Sequence, residues 1–275
     1  PYTDPRTTEY LTSVILSGGT ITSPYNAELY YRLNGGEWTA GCHMEGSLMY
    51  GLDLSVSSGD IVEFKCRSGA TINHNSVVFN VRGNIMSLAY GDNFAGKRSL
   101  LEFPGYSTTS GVFYRQFRFM NVVDASDLVL PAIYLSTSCY DSMFYWCTML
   151  TAAPSLANIA NSGGTGVGAT AYANMFNGCT SLTTAPDIPA NAAKLVNCCD
   201  GMFSGSSVNY VKCLAVFDDR PENLSYPFHH WLDGVPSNGT FIKSPDMLVG
   251  FSKYYCYWTE SGSGIPSGWT VVDDQ

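Results

Sequence analysis

Charged residues are scarce in this chain. Only 13% of its 275 residues are charged, and the 14 basic residues are scattered along the sequence. Binding to the phosphate backbone of a nucleic acid requires clustered Lys and Arg side chains. The net charge is −9, which also opposes such binding. We therefore predict that nucleic acid is not a partner.

Long apolar runs are also absent. No stretch reaches the roughly 18 apolar residues that a membrane-spanning helix needs, so no membrane span is predicted in this chain. The composition is low in charge and rich in Ser, Thr, Asn, Gly and Tyr, which favours an extracellular or cell-surface protein. The sequence starts at Pro1 without a Met, so we expect an exported protein whose signal segment is missing here; an upstream anchor is compatible with this.

Patterns typical of catalysis or metal binding are missing as well. The sequence contains no G-x-S-x-G, no H-E-x-x-H and no P-loop motif. Only four His occur, and the adjacent pair His229-His230 is expected to point in opposite directions from an extended segment. This pair therefore predicts a surface or packing role, because a metal site needs convergent ligands.

The remaining polar clusters favour the same conclusion. The glycines of residues 161–168 are not followed by the Lys and helix of a phosphate-binding loop. The pairs Asp218-Asp219 and Asp273-Asp274 are neighbours in predicted loops or at the terminus, so solvated charges are favoured, with a calcium site as the alternative. We predict a protein that is not an enzyme and that has no cofactor and no metal.

Cysteine is the one reactive residue type that is abundant. There are nine, at positions 42, 66, 139, 147, 179, 198, 199, 213 and 256. The odd number and the long chain argue against a disulfide scaffold. Free Cys is often buried as a small apolar residue, and five of the nine recur at repeat-related positions, so buried thiols are predicted there. Cys42 and Cys66 fall in one small predicted domain, where a bridge is the alternative to two thiols.

The first third of the chain predicts strands. After a short linker at residues 1–9, segments rich in Val, Ile, Tyr, Phe and Thr are separated by Gly-rich or polar turns such as Asn34-Gly35-Gly36. Apolar and polar residues alternate over residues 61–66 and 77–81, as half-buried strands require. Residues 10–95 are therefore predicted to form a β-sandwich, with "NGGEW" as a hairpin turn.

Internal repeats occupy residues 96–215. The repeats align on a Phe anchor. The anchors are Phe117, Phe144, Phe176 and Phe203. Three residues later stand Met120, Cys147, Cys179 and Ser206, and six residues later stand Val123, Leu150, Leu182 and Asn209. The polar residues Ser206 and Asn209 are expected to mark the last copy, where a cap is needed. The copies at 144 and 176 are 32 residues apart because "NSGGTGVG" (161–168) is inserted there, and it is expected to form a loop. About four units are predicted, each with a strand-like segment (182–188 in one copy) and a helical turn (194–203).

Stacked units of this kind bury a shared core that no single unit can build. A short solenoid is therefore predicted, and residues 216–275 are expected to cap it. The candidate contacts of this cap are Phe241, Ile242, Trp269 and Val271.

"YANMFNGCTSLTTAPDIPA" resembles the BspA-type leucine-rich repeat, which has an Ala/Met-Phe pair, a small turn pair, Cys, two small polar residues, Leu and a Pro-ended segment. "GNIMSLAYGDNF" (83–94), "VKCLA" (211–215) and "IPSGWTVVDD" (265–274) are similar to the flanking segments of secreted or surface-anchored repeat proteins from gut anaerobic bacteria. The resemblance implies a mixed α+β, mainly β fold, with a β-sandwich followed by a leucine-rich-repeat-like solenoid and a C-terminal cap. It also implies surface display, adhesion or ligand capture.

Large aromatics break the repeat pattern at one place. The two positions after each Phe anchor are Asn-Gly and Ser-Gly in the later copies, which indicates a tight exposed turn. The earlier copies carry Arg118-Phe119 and Tyr145-Trp146 there. Phe119 and Trp146 are expected to be neighbours on one ridge. The three aromatics are either a ligand-binding edge or packing between domains, and packing is favoured because exposed apolar patches need a special reason.

The sequence thus predicts a non-enzymatic cell-surface or secreted protein that displays a rigid repeat surface to a protein ligand. The alternative is a carbohydrate-binding accessory protein of a glycan-capture system. Phe119, Tyr145 and Trp146 are the candidate binding residues, and the partner is expected to be a host or bacterial surface protein or a glycan.

Overall fold

Strands dominate the fold of the chain. The computed structural model describes residues 11–15, 19–23, 28–45, 48–66, 77–101, 111–160, 168–216, 227–247 and 264–275. The strands are β1 (Leu11–Ile15), β2 (Gly19–Ser23), β3 (Tyr30–Leu33), β4 (Thr39–Ala40), β5 (His43–Glu45), β6 (Leu48–Tyr50), β7 (Leu52–Val56), β8 (Ile61–Lys65), β9 (Val78–Asn84), β10 (Asn121–Val122), β11 (Leu128–Val129), β12 (Tyr210–Cys213), β13 (Thr240–Lys243) and β14 (Thr270–Asp273). Helices in these residues are α1 (Ser87–Tyr90) and two 3₁₀ helices, Gly91–Asn93 and Ala190–Lys194. The prediction of a mainly β protein is confirmed.

Four sequence-based expectations lie outside the described residues. They concern the linker at 1–9, the inserted loop except Gly168, the Asp218-Asp219 pair and Cys256.

The largest sheet joins the N-terminal strands to the repeat region. Its order is β10-β9-β1-β8-β3-β4, and β11 also pairs with β9. β9 is antiparallel to β1 and parallel to β10 and β11. Phe79 and Val81 of β9 are completely or almost completely buried. One sheet therefore crosses the predicted domain boundary near residue 95.

The "NGGEW" prediction of a hairpin is confirmed. β3 and β4 pair antiparallel, with Tyr30 opposite Ala40. Asn34 and Gly35 between them have φ of 53° and 71°, the left-handed conformation that Asn and Gly tolerate best. Two further pairs, β2 with β7 and β5 with β6, form separate two-stranded sheets.

Five similar turn segments follow, and each is hydrogen-bonded to the next. These turn segments are residues 111–119, 138–146, 170–178, 197–205 and 227–234. In the first four, alternate backbone N–H groups donate to the following segment and the others donate to the carbonyl three residues earlier. For example, the N–H of Phe176 donates to Met202 and that of Asn177 donates to Asn174. The hydrogen bonds reach residues 227–234, so the pattern continues beyond the predicted boundary at residue 215.

Backbone geometry explains why the predicted helical turn at 194–203 is wrong. The 3₁₀ helix ends at Lys194, and residues 196–205 form consecutive turns. In the turn segments every fourth residue has a positive φ, for example Asn197, Gly201 and Gly205 at 49°, 61° and 67°. A right-handed helix cannot pass through a left-handed residue every fourth position.

The interior of the stack consists of aromatic and thiol columns. All four Phe anchors are at most 1% exposed, and the ring centroids of successive anchors lie 5.3, 5.6 and 5.6 Å apart. A second column, formed by Phe113, Tyr140 and Tyr172, stacks at 5.8 Å. The prediction of five buried thiols is confirmed, because Cys139, Cys147, Cys179, Cys198 and Cys213 are all fully buried and unbridged. Cys42 and Cys66 are also free thiols.

The apolar column six residues after the anchor needs a correction in two copies. Leu150 and Leu182 are buried there as expected, but Val122 and Val208 occupy the interior in place of Val123 and Asn209. The bridges Asp124–Ala152 and Thr184–Tyr210 show that the outer copies are each one residue shorter between anchor and strand.

The C-terminal strands continue the stack. β12, β13 and β14 form a parallel sheet, in which Phe241 lies between Val211 and Val271. Phe241 and Trp269 are buried as predicted, and Ile242 is half-buried. Val271 is 38% exposed, so its predicted sealing role is wrong, because β14 is the last strand of this sheet in the described residues.

Candidate functional site

The unusual aromatics lie on the outer face of the first two turn segments. Phe119 and Trp146 occupy the same backbone position as Gly178, Gly205 and Gly234 of the later segments. Phe119 is 53% exposed and Trp146 is 50% exposed. The favoured interpretation that these residues are packed between domains is therefore wrong for both side chains, while Tyr145 is half-buried.

The backbone at these two aromatics is strained. Phe119 has a φ of 62° and Trp146 a φ of 58°, where a bulky L-residue is an outlier. The left-handed conformation costs roughly 1–2 kcal/mol per non-glycine residue. Positive φ recurs through the turn segments and is adopted elsewhere mainly by Gly, Asn and Ser, so the bulk and exposure of these two aromatics set them apart. An exposed aromatic at this position therefore indicates a role other than stability.

The rings form a connected cluster. The ring centroid of Phe119 lies 5.6 Å from that of Tyr145 in an edge-to-face arrangement, and Tyr145 lies 6.4 Å from Trp146. Phe119 and Trp146 share a row of backbone positions as predicted, but the partner of the Phe119 ring is Tyr145. The pairing of the first two turn segments explains this contact, because the N–H of Phe119 donates to the carbonyl of Tyr145 and so places the two residues side by side.

One guanidinium group lies on two of these rings, and a second lies on another Tyr ring of the first turn segment. Cζ of Arg118 is 4.3 Å from the Phe119 ring centroid and 5.1 Å from that of Tyr145. Cζ of Arg115 is 4.4 Å from the Tyr114 ring. Tyr114 is itself 39% exposed. We call this set the aromatic patch; it consists of Tyr114, Arg115, Arg118, Phe119, Tyr145 and Trp146.

Glycine in the third segment makes room for Trp146. A Cβ placed on Gly178 would lie 2.8 Å from Cδ1, 2.8 Å from Nε1 and 3.0 Å from Cε2 of the indole. These near-equal distances mean that one face of the indole lies against the glycine backbone. The other face accounts for the exposure of Trp146.

Polar side chains adjoin the patch. Asp141 is next to Arg115 along the stack, and burial raises the pKa of its carboxyl, with Asp200 adding to the rise while the Ser142 hydroxyl and Arg115 oppose it. On the third segment, the Asn177 amide donates to Asn174 and to the carbonyl of Gly201. The aromatic patch is therefore bordered by one carboxyl group, Asp141, and by the amides of Asn174 and Asn177.

Sequence analysis found three of the six patch residues and missed the others. Phe119, Tyr145 and Trp146 were predicted and are brought together, whereas Tyr114 and Arg115 were not considered and Arg118 was noted only as a pattern break. The turn geometry brings the backbone of Arg118 to that of Arg115, since the N–H of Arg118 donates to the carbonyl of Arg115. That geometry is visible in the sequence only once the alternating turns are known.

The histidine pair behaves differently from the prediction. The imidazole centroids of His229 and His230 lie 3.7 Å apart, because His230 has a φ of 52° and is not extended. Nδ1 of His230 is 2.6 Å from Asp233, and Nδ1 of His229 is 3.5 Å from Asp200. In the part of the chain that the structure describes, no three His, Cys, Asp or Glu side chains converge on a metal position.

Other charged groups are mostly paired with each other. Asp273 pairs with Lys243 and Asp274 with Lys212, so these carboxylates act as ion-pair partners on the C-terminal sheet. A cavity of about 380 Å³ beside Trp38 contains the Lys65–Asp92 ion pair.

Comparison with known proteins does not assign the chain to a family. No family model, no curated protein and no solved structure matches the chain. Among the described residues, no helix has the length and apolar character needed to cross a membrane.

Proposed function

We propose that the chain is a non-enzymatic binding protein of the cell surface or the extracellular space, and that the aromatic patch is its ligand-binding surface. The observation that carries this proposal is the exposure of Phe119 and Trp146 at strained positions where later copies have Gly. Trp, Tyr and Arg dominate binding hot spots, and all three are present in the patch. The chain works without cofactor or metal, by rigid display of side chains.

The proposed architecture is a β-sandwich followed by a BspA-like leucine-rich-repeat solenoid and a C-terminal cap. Support comes from the ladder of turn segments and from the stacked Phe and Cys columns, which match the repeat pattern in the sequence. A surface or secreted location fits the low charge and the polar, Tyr-rich composition.

The first candidate ligand is a host or bacterial surface protein. A glycan is the second, and one observation favours it. The indole of Trp146 lies flat on Gly178 and presents its other face outward, as a platform for stacking a sugar ring requires.

Removal of the two protruding rings tests the proposal. Phe119→Gly/Trp146→Gly installs the residue that the later copies carry, so the fold is expected to be kept while binding falls at least about tenfold. Wild type and variant are probed on arrays of glycans and of extracellular proteins. The control is Tyr210→Ser, which removes a ring that is 38% exposed on β12. Wild-type binding by the double variant, or no ligand on either array, would contradict the proposal.

A further inference from the structure

We propose that the aromatic patch binds a carboxylated saccharide, with Arg115 and Arg118 pairing with the carboxylates and Trp146 stacking on a sugar ring. This inference rests on the proposed function and selects the glycan among its two ligands. The chemistry is that of uronic or sialic acid units, which combine a pyranose face with a negative charge.

The guanidinium groups are available to an anion. In the described residues neither Arg115 nor Arg118 takes part in a salt bridge. Arg115 is exposed and Arg118 is half-buried with its Nε fully buried, so a ligand would meet the Nη groups of Arg118. Each group lies over an aromatic ring, which fixes its plane while its N–H donors remain at the edge. Such fixed guanidinium groups bind carboxylates with two parallel hydrogen bonds. These two cations without a salt bridge lie on one turn segment of a chain with a net charge of −9, and the Asp141 carboxyl on the next segment is the acidic group that interacts with Arg115.

The backbone N–H groups of this face are used within the stack of turn segments. N–H groups of the first segment donate to the second, and those of the second donate to the third or back to their own turn. The backbone N–H groups of these two segments are therefore already paired and are not available to an added peptide strand.

The side chains next to the patch suit a hydroxyl-rich ligand. Asp141 can accept hydrogen bonds from hydroxyl groups, and the Asn174 and Asn177 amides lie one segment farther along the stack. Hydrogen-bonded strands are spaced by about 4.8 Å, which is comparable to the length of one linked pyranose unit. A saccharide lying along the stack would therefore place successive units over successive segments.

The test measures binding of the full chain to four soluble polymers by calorimetry or biolayer interferometry. Polygalacturonate and polysialic acid carry carboxylates from two sources. Fully methyl-esterified polygalacturonate keeps the pyranose rings without the charge, and poly-L-glutamate keeps the charge without the rings. The variants are Arg115→Gln/Arg118→Gln, Phe119→Gly/Trp146→Gly, and the control Arg98→Gln, which changes an exposed Arg at a different cavity.

The expected result is binding to at least one carboxylated saccharide, with the methyl ester and poly-L-glutamate each at least about tenfold weaker. Both patch variants lose about tenfold or more in affinity, and Arg98→Gln binds like wild type. Equal binding of the methyl ester, equal binding of poly-L-glutamate, or no effect of Arg115→Gln/Arg118→Gln would overturn the inference. Binding to neither acidic saccharide also overturns it. A different result would contradict the proposed function: Phe119→Gly/Trp146→Gly would retain the binding that wild type shows on the arrays.

Discussion

Trp146 and Gly178 form a matched pair across two turn segments. The indole covers the glycine so closely that a methyl group has no space between them. Gly178 also has a φ of 73°, which glycine adopts without cost. Glycine is therefore favoured at position 178 for two reasons: its backbone has a positive φ, and the indole of Trp146 leaves no room for a side chain. The backbone of Trp146 also has a positive φ and would favour glycine, so only its contact with Gly178 explains the Trp structurally.

Gly178→Ala should therefore destabilise the protein. We expect a loss of about 1–2 kcal/mol from the left-handed backbone and a further loss from the collision with Trp146. Urea unfolding measures the change in the free energy of unfolding.

A double-mutant cycle with Trp146→Gly separates the two causes. Because the collision needs the indole, Gly178→Ala should cost less in the Trp146→Gly background, and only the backbone contribution should remain. Equal costs in both backgrounds would contradict the contact between the two residues. Gly205→Ala is the matched control, since its φ is 67° and a Cβ there would meet nothing within 4 Å.

β9 is the element on which the two halves of the chain depend. It pairs with β1 on one side and with β10 and β11 on the other. Carbonyls of Asp124, Asp127 and Val129 also accept hydrogen bonds from residues 81–85. The N-terminal strands and the repeats therefore share backbone hydrogen bonds, and we expect them to unfold together.

Phe79→Ala on β9 tests this coupling. The side chain is completely buried, so truncation should cost about 3–5 kcal/mol. Because the sheet is shared, a single unfolding transition should remain and shift to lower urea, observed both by far-ultraviolet circular dichroism and by Trp fluorescence. Two separate transitions would show that the halves fold independently. Phe119→Ala, which truncates an exposed Phe, is the control and should change stability little.

Several Cys thiols and Tyr hydroxyls are buried in the interior of the described residues. Burial raises the pKa of Cys147 to about 12 and also raises the pKa of Cys139, Cys179 and Cys199 above the usual thiol value of 9.0. Burial raises the pKa of Tyr140 and Tyr172 as well. The folded chain keeps these protons at a pH where the unfolded chain loses them.

Stability should therefore fall steeply in alkali. Below pH 9.0 both states are protonated, and above it the unfolded state binds fewer protons, so the free energy of unfolding decreases as pH rises. Each buried thiol contributes up to about 1.4 kcal/mol per pH unit until its folded pKa is reached. Urea midpoints measured from pH 7 to pH 12 should be nearly constant at first and then decline.

Cys147→Ser provides the control for this decline. Serine keeps a donor toward the Phe117 carbonyl, which the Cys147 thiol contacts at 2.9 Å, but it does not titrate in this range. The slope above pH 9 should become shallower by about one proton. An unchanged slope would mean that Cys147 does not contribute. Alkylation of the folded protein should be slow at pH 8 for the same reason, since only the thiolate reacts.

The sequence alone determined the interior of the molecule. The recurring Phe, Cys and Leu predicted which side chains are buried, because a repeated apolar residue at a fixed spacing has no other physical use in stacked units. It also determined the mainly β character and the hairpin at residues 34–38. The contrast between Tyr145-Trp146 and the later Asn-Gly and Ser-Gly pairs located the centre of the candidate site.

Only the tertiary structure decided the outer face. The left-handed residue at every fourth position, the exposure of Phe119 and Trp146 and the place of Arg115 beside Arg118 all depend on hydrogen bonds between residues about 30 positions apart. Local sequence preferences contain no information on such partners, so the turn segments were predicted as helical. Whether a side chain is buried depends mainly on its own apolar character, which the sequence shows. A binding surface depends on which distant residues the fold brings together, which the sequence does not show.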